Sequence, residues 1–150
     1  MNKLFVILEN DIQELEKAAD ILVYSHNKCI CVDLMDGLNQ DILESFEALT
    51  SRFARLSDML IQKVLRTIDM IELESSGTVR DRINRAEKKK LIDSADSLIE
   101  IRVLRNEIAH EYKSETVYVI FEKVLHLTPL LLKAVDLTIE YSSKLLQSSD

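Results

Sequence analysis

The sequence predicts an all-α protein, a single domain over residues 1–150 built as an up-and-down bundle of four to five helices. Three observations carry this expectation. Only two glycines and one proline occur in 150 residues, which leaves few places for tight turns. Apolar residues recur at spacings of three and four over long stretches, the period of an amphipathic helix. Hydrophobic residues make up 47% of the chain while tryptophan is absent, so a chain of this length can bury a core without disulfides or metals, and must build it mainly from Leu, Ile and Val.

The first helix is expected from about Asn2 to His26, with Leu4, Leu8, Ile12, Leu15, Ala19 and Leu22 along one face. The opening Met1–Glu9 runs directly into Asp11, Glu14 and Glu16 without a small-residue cleavage site, and reads as the start of that helix and not as a signal peptide. Asn27 to Gly37, holding Cys29 and Cys31, reads as a less regular connection. A long second helix follows from about Asn39 to Leu73. Its stripe of Ile42, Phe46, Leu49, Phe53, Leu56, Leu60, Val64, Ile68 and Ile71 contains no Gly or Pro, and its length raises the expectation that a second subunit covers part of it. Ser75-Ser76-Gly77 ends the pattern. A short third helix is expected from about Val79 to Lys89. Asp93 or Ser94 can cap a fourth that reaches about Glu111, and Ser114 can cap a fifth that reaches about Leu146, kinked at Pro129.

The net charge of −7 argues against a general nucleic-acid binder, but the charge is uneven. Residues 1–50 hold three basic and ten acidic side chains, whereas residues 51–112 hold twelve and eleven. Arg80, Arg82, Arg85 and Lys88, with Lys89 and Lys90, form a basic cluster diluted by Asp81 and Glu87. Such a cluster reads either as a solvated helix face or as a patch for a phosphate backbone. No apolar run approaches the roughly 20 residues needed to span a bilayer. Two neighbouring cysteines build no disulfide framework, so a reducing cytoplasm is the expected location.

Chemistry concentrates in Arg105-Asn106-Glu107-Ile108-Ala109-His110-Glu111-Tyr112. At about 100° per residue, Leu98, Leu104 and Ile108 fall within about 60° of Ile101 and form the core face. Arg102, Asn106 and His110, spaced by four, form a polar stripe. Arg105 lies near the core edge, where a guanidinium must be paired, snorkelled or placed at an interface. Arg105 and His110 diverge by roughly 140° on a straight helix. Three routes bring them together: unwinding near His110, Arg105 reaching round, or a second subunit completing the site. The residue types suit phosphodiester cleavage without a metal. A histidine moves a proton near neutrality, and an arginine holds the scissile phosphate and its added charge.

This segment resembles the R-x4-H-x-Y signature of HEPN domains, specifically the HepT-like toxin branch. Ser51-Arg52-Phe53-Ala54-Arg55-Leu56-Ser57-Asp58 and Arg82-Ile83-Asn84-Arg85-Ala86-Glu87-Lys88 are also similar to that family, and the resemblance covers most of residues 40–125. It implies a helical bundle that forms a homodimer, with the motifs of two subunits lining one cleft. It implies a metal-independent endoribonuclease acting on RNA as the toxin of a toxin–antitoxin pair, with Arg105 and His110 catalytic and Asn106 the polar residue following the arginine. The partner would be a small nucleotidyltransferase antitoxin that adenylylates Tyr112. Arg102, Arg80, Arg82, Arg85 and Lys88 would then add affinity for RNA. Other members of the family are non-catalytic nucleotide-binding partners of a nucleotidyltransferase, which is the alternative; a purely structural helical protein is the third reading.

Other candidates carry less. His26, Cys29 and Cys31 near Asp33 lack the recognisable spacings and the second Cys pair of a zinc site, and the cysteines read as residues of a packed loop. His126 reads as structural, and Tyr24, Tyr118 and Tyr141 as packing residues. Two glycines build no phosphate-gripping loop, and no cofactor is expected.

Overall fold

Helix starts are set by short polar side chains. The computed structural model describes residues 2–110 and 114–148, and the side chains of all of these except 114–116. Helix α1 (Lys3–Ile30) begins with Asn2, whose side chain accepts from the Leu4 amide at 3.0 Å. Helix α2 (Gln40–Asp58) is capped by Asn39 through the Ile42 amide at 2.9 Å. It passes without a break through a π-helical turn (Met59–Val64) into α3 (Leu65–Ile71). Helix α4 (Val79–Lys88) opens with a reciprocal capping box between Thr78 and Asp81. Helix α5 (Ala95–His110) follows Ser94, the one of the two expected caps that bonds, to the Ser97 amide at 3.1 Å. Helix α6 (Ser114–Gln147) closes the chain.

These helices form an all-α bundle. In chain order α1 packs on α2, α2 on α5, α5 on α6, and α6 back on α1, while α4 bridges α3 and α5. The buried apolar residues form one core cluster dominated by Leu and Ile. Phe46 of α2 stacks on Phe121 of α6 with ring centroids 4.7 Å apart, which pins the diagonal of the bundle.

Most of the long stripe of the second helix is buried by the chain itself. Phe46, Leu49, Phe53, Leu56, Leu60, Val64 and Ile68 are all essentially inaccessible, while Ile42 and Ile71 near its two ends are partly buried. The π-helical turn makes this possible. From Leu56 to Ile68 the stripe advances by four residues at each step. On an α-helix, Ile68 would have drifted about 120° from Leu56. In the turn the Leu65 N–H donates to the Leu60 carbonyl, five residues back, and the extra residue taken up returns Ile68 to the core.

The connection after α1 differs from expectation. The helix continues to Ile30, so Cys29 lies buried in its last turn and Cys31 is exposed just beyond it; neither belongs to a packed loop. Burial pushes the Cys29 thiol up from its usual range. Tyr24, expected to pack, is 65% exposed. His126 is exposed on α6, and the histidine with a structural bond is His26.

That bond answers a defect in α6. Pro129 lies inside the helix and has no N–H, so the Leu125 carbonyl four residues back loses its normal donor. His26 Nε2, buried on α1, lies 3.2 Å from that oxygen. A carbonyl only accepts, so Nε2 carries the hydrogen and donates. We expect His26→Ala to lower unfolding free energy by about 1–3 kcal/mol in urea titrations. In a Pro129→Ala background, where residue 129 again donates to Leu125, the loss should shrink; an equal loss in both backgrounds would disprove the pairing.

Candidate functional site

The polar face of α5 opens onto a groove of about 1160 Å³ between α5, α2 and the π-helical turn. Arg102, Arg105, Asn106 and His110 all line it. The core face of the same helix is as the wheel places it, with Leu98, Ile101, Leu104 and Ile108 buried. One chain therefore borders a single groove with both Arg105 and His110, despite their angular divergence, because the groove wraps round more than a third of the helix. Asn106 and His110 are exposed, whereas Arg102 and Arg105 are half-buried. Tyr112 lies outside the described residues.

Arg105 is held by Asp58. Its Nε donates to Asp58 Oδ1 at 2.7 Å and its Nη2 to Oδ2 at 2.9 Å, a two-point contact from α5 to the last residue of α2. The pair is partly solvated, with side chains 29% and 44% exposed, so it contributes at most about 1 kcal/mol to stability. Its greater effect is geometric, since two parallel bonds fix the guanidinium plane. An arginine at a core edge requires such a partner. Sequence reasoning placed the need but not the residue, although Asp58 closes the Ser51–Asp58 stretch.

The groove has a mixed lining with a positive balance. Arg55, Lys63, Arg102 and Arg105 face Glu14, Glu47 and Asp58. Because Asp58 offsets Arg105, the net positive field rests on Arg55, Lys63 and Arg102. Arg55 and Lys63 were not singled out from the sequence; both point from the same stretch of helix as Asp58, on the side away from the buried stripe. Gln62, in the π-helical turn, lines the groove as well.

The basic cluster on α4 is placed differently. None of Arg80, Arg82, Arg85 and Lys88 lines the groove. Arg80 and Lys88 are exposed. Arg82 donates to the Ile61 carbonyl at 3.1 Å and to the groove residue Gln62 at 3.4 Å. Burial lowers its pKa from the usual arginine range; Asp69 opposes this, while Arg66, Arg85 and Arg102 add to it. Arg85 donates to buried Asp69 at 2.8 Å and to the Ser76 carbonyl at 2.8 Å. Lys89 meets Glu72 at 2.8 Å, Glu74 at 3.2 Å and Asp69 at 3.6 Å. Arg85 and Lys89 thus hold α4 against the end of α3. A buried carboxylate such as Asp69, 3% exposed, requires that pairing.

Tyr141 of α6 joins this network, its hydroxyl donating to Glu72 at 2.5 Å. Among the described residues, no group of three or more His, Cys, Asp or Glu side chains is placed to hold a metal ion, and no helix is long and apolar enough to cross a membrane. No family model matches the chain, and no curated protein and no solved structure matches it.

Burial, with the Glu72 carboxylate beside it, pushes the Tyr141 phenol from 10.0 up to about 12. The folded state therefore keeps the proton longer than the unfolded chain. Stability from this group is complete below pH 10 and is lost as pH rises from 10 through about 12. Comparing denaturant unfolding of wild type and Tyr141→Phe across that range, we expect wild type to show the steeper alkaline loss; parallel curves would contradict the coupling.

Proposed function

We propose that the chain is a metal-independent endoribonuclease that acts as the toxin of a cytoplasmic toxin–antitoxin pair, as the resemblance to HepT-like HEPN proteins implies. The observation that carries this reading is the convergence on one groove of Arg102, Arg105, Asn106 and His110, with Arg105 oriented by Asp58. The reaction is attack of a ribose 2′-oxygen on the adjacent phosphorus. The O2′–P bond forms and the P–O5′ bond breaks, so that a cyclic phosphate and a free 5′-hydroxyl result. His110, exposed at the end of α5, acts as the general acid or base, taking the 2′-hydroxyl proton or supplying one to the leaving oxygen. Arg105 and Asn106 bind the phosphate, and the charge that builds on its oxygens is met by a guanidinium already held in one plane. Arg102, Arg55 and Lys63 supply the surrounding positive field, and Arg80 and Lys88 remain open to more distant phosphates.

In this reading the protein works as a homodimer and is neutralised by a nucleotidyltransferase. Transfer of AMP from ATP to the Tyr112 hydroxyl, with loss of pyrophosphate, places a further negative charge near the motif. That charge competes with substrate phosphate for the arginines.

Cleavage of RNA by the purified chain tests the proposal. We expect His110→Ala to keep its helical circular dichroism and to lose cleavage by at least about 100-fold. Asp58→Asn, which keeps the shape but weakens the hold on Arg105, should lower the rate by about tenfold or more. Undiminished cleavage by His110→Ala sinks the catalytic assignment. Absence of cleavage by wild type, with retained nucleotide binding, moves the protein to the non-catalytic alternative.

A further inference from the structure

The groove does not end at α5. Glu14, Arg55 and Met59 on its border also line a hollow of about 290 Å³ between α1 and α2. Arg52, on the far side of that hollow, lines a third of about 610 Å³ that ends at Tyr24 and Lys28. Sharing these lining residues, the three lie in succession along the α1–α2 seam as a trench, crossed at Arg52 by its bond to Ser25. From Met59 at the start of the π-helical turn it follows Arg55, Arg52, Ala48 and Ser45 on α2, a single helical stripe. From Met59 to Ser45 this spans about 21 Å at 1.5 Å per residue.

We propose that this trench carries the RNA strand away from the groove, and that Tyr24 is the platform on which a base of that strand stacks. The inference rests on the endoribonuclease reading and adds to it the form of the substrate, a single strand several nucleotides long. Four features support it. Lys17, Arg52 and Arg55 share the middle hollow with Glu14, which lies 3.7 Å from Lys17, a local positive excess on a chain of net charge −7. The Arg52 guanidinium is fixed there by a 2.7 Å bond from Nη1 to the buried Ser25 hydroxyl. Tyr24, 65% exposed, stands beside Lys28 at the far end, the aromatic-plus-cation pairing that single-strand binders use. Finally, stacking on Tyr24 requires a base that is free of a duplex, so the form of substrate that fits is a single strand. Asp41 and Glu44 also border the far hollow, so Lys28 supplies a single phosphate contact there and stacking on Tyr24 the rest of the hold.

Binding of labelled oligouridylates to full-length His110→Ala, followed by fluorescence anisotropy, tests the path without cleavage. The 12-mer should bind more tightly than the 3-mer. Tyr24→Ala should weaken the 12-mer about tenfold and leave the 3-mer unchanged. Lys28→Ala should reduce the slope of log affinity against log salt for the 12-mer by about 0.7. Equal affinity for both lengths, or a 12-mer indifferent to both substitutions, overturns the path. So does a Tyr24→Ala that leaves 12-mer binding intact but shifts sedimentation from dimer to monomer, since the trench is then a contact between copies. Failure of wild type to cleave while these binding differences persist overturns the nuclease reading and not the strand path.

Discussion

The bundle depends on one constraint: the apolar stripe running from α2 through α3 must face the core along its whole length. It is the element on which α1, α5 and α6 all pack, and its side chains from Phe46 to Ile68 are among the least accessible in the chain. A straight α-helix cannot satisfy this, because after Leu56 the apolar residues advance in steps of four and rotate off the face. One π-helical turn at Met59–Val64 corrects the register. Such turns locally widen a helix and alter what its outer side presents. Here Asp58 precedes the turn, and Gln62 and Lys63 lie within it, all bordering the groove. Core packing on one side thus shapes the candidate site on the other.

Carboxylates sort the arginines into roles. Asp69, buried at the end of α3, draws in Arg85 and is approached by Lys89; these cations hold helices together and contribute little field to solvent. Asp58, half-open to water, holds Arg105 in a fixed orientation at the groove. Arg55 and Lys63 reach the same groove from α2 and the turn. A run of cations close in sequence is therefore divided in space, while cations far apart in sequence converge. The same logic of supplying a missing partner joins α1 to α6, where His26 takes the place of the amide that Pro129 lacks.

Much was legible in the sequence because it depends on local period and local chemistry. The all-helical class follows from spacing and from scarce Gly and Pro. Ser94 was readable as a cap because a short polar side chain reaches the amide three residues on, and Asn39 and Thr78, not singled out from the sequence, act in the same way. The core face of α5 and the unusual position of Arg105 follow from 3.6 residues per turn. The steps of four after Leu56 were also a readable sign of the π-helical turn, but a long stripe without Gly or Pro invites a straight helix.

What the sequence by itself determined is the set of helices, their buried faces, and the placing of Arg102, Asn106 and His110 on one polar stripe. Only the tertiary structure decided that Asp58 meets Arg105 across 47 positions, that Arg85 turns to Asp69, that Tyr24 stays exposed while Tyr141 bonds to Glu72, and that the chain itself buries the second helix's stripe from Phe46 to Ile68. The physical reason is common to all of these. Hydrophobic period and capping act within a few residues of chain, whereas the pairing of a charge is settled by whichever opposite group the packed core brings within about 3 Å.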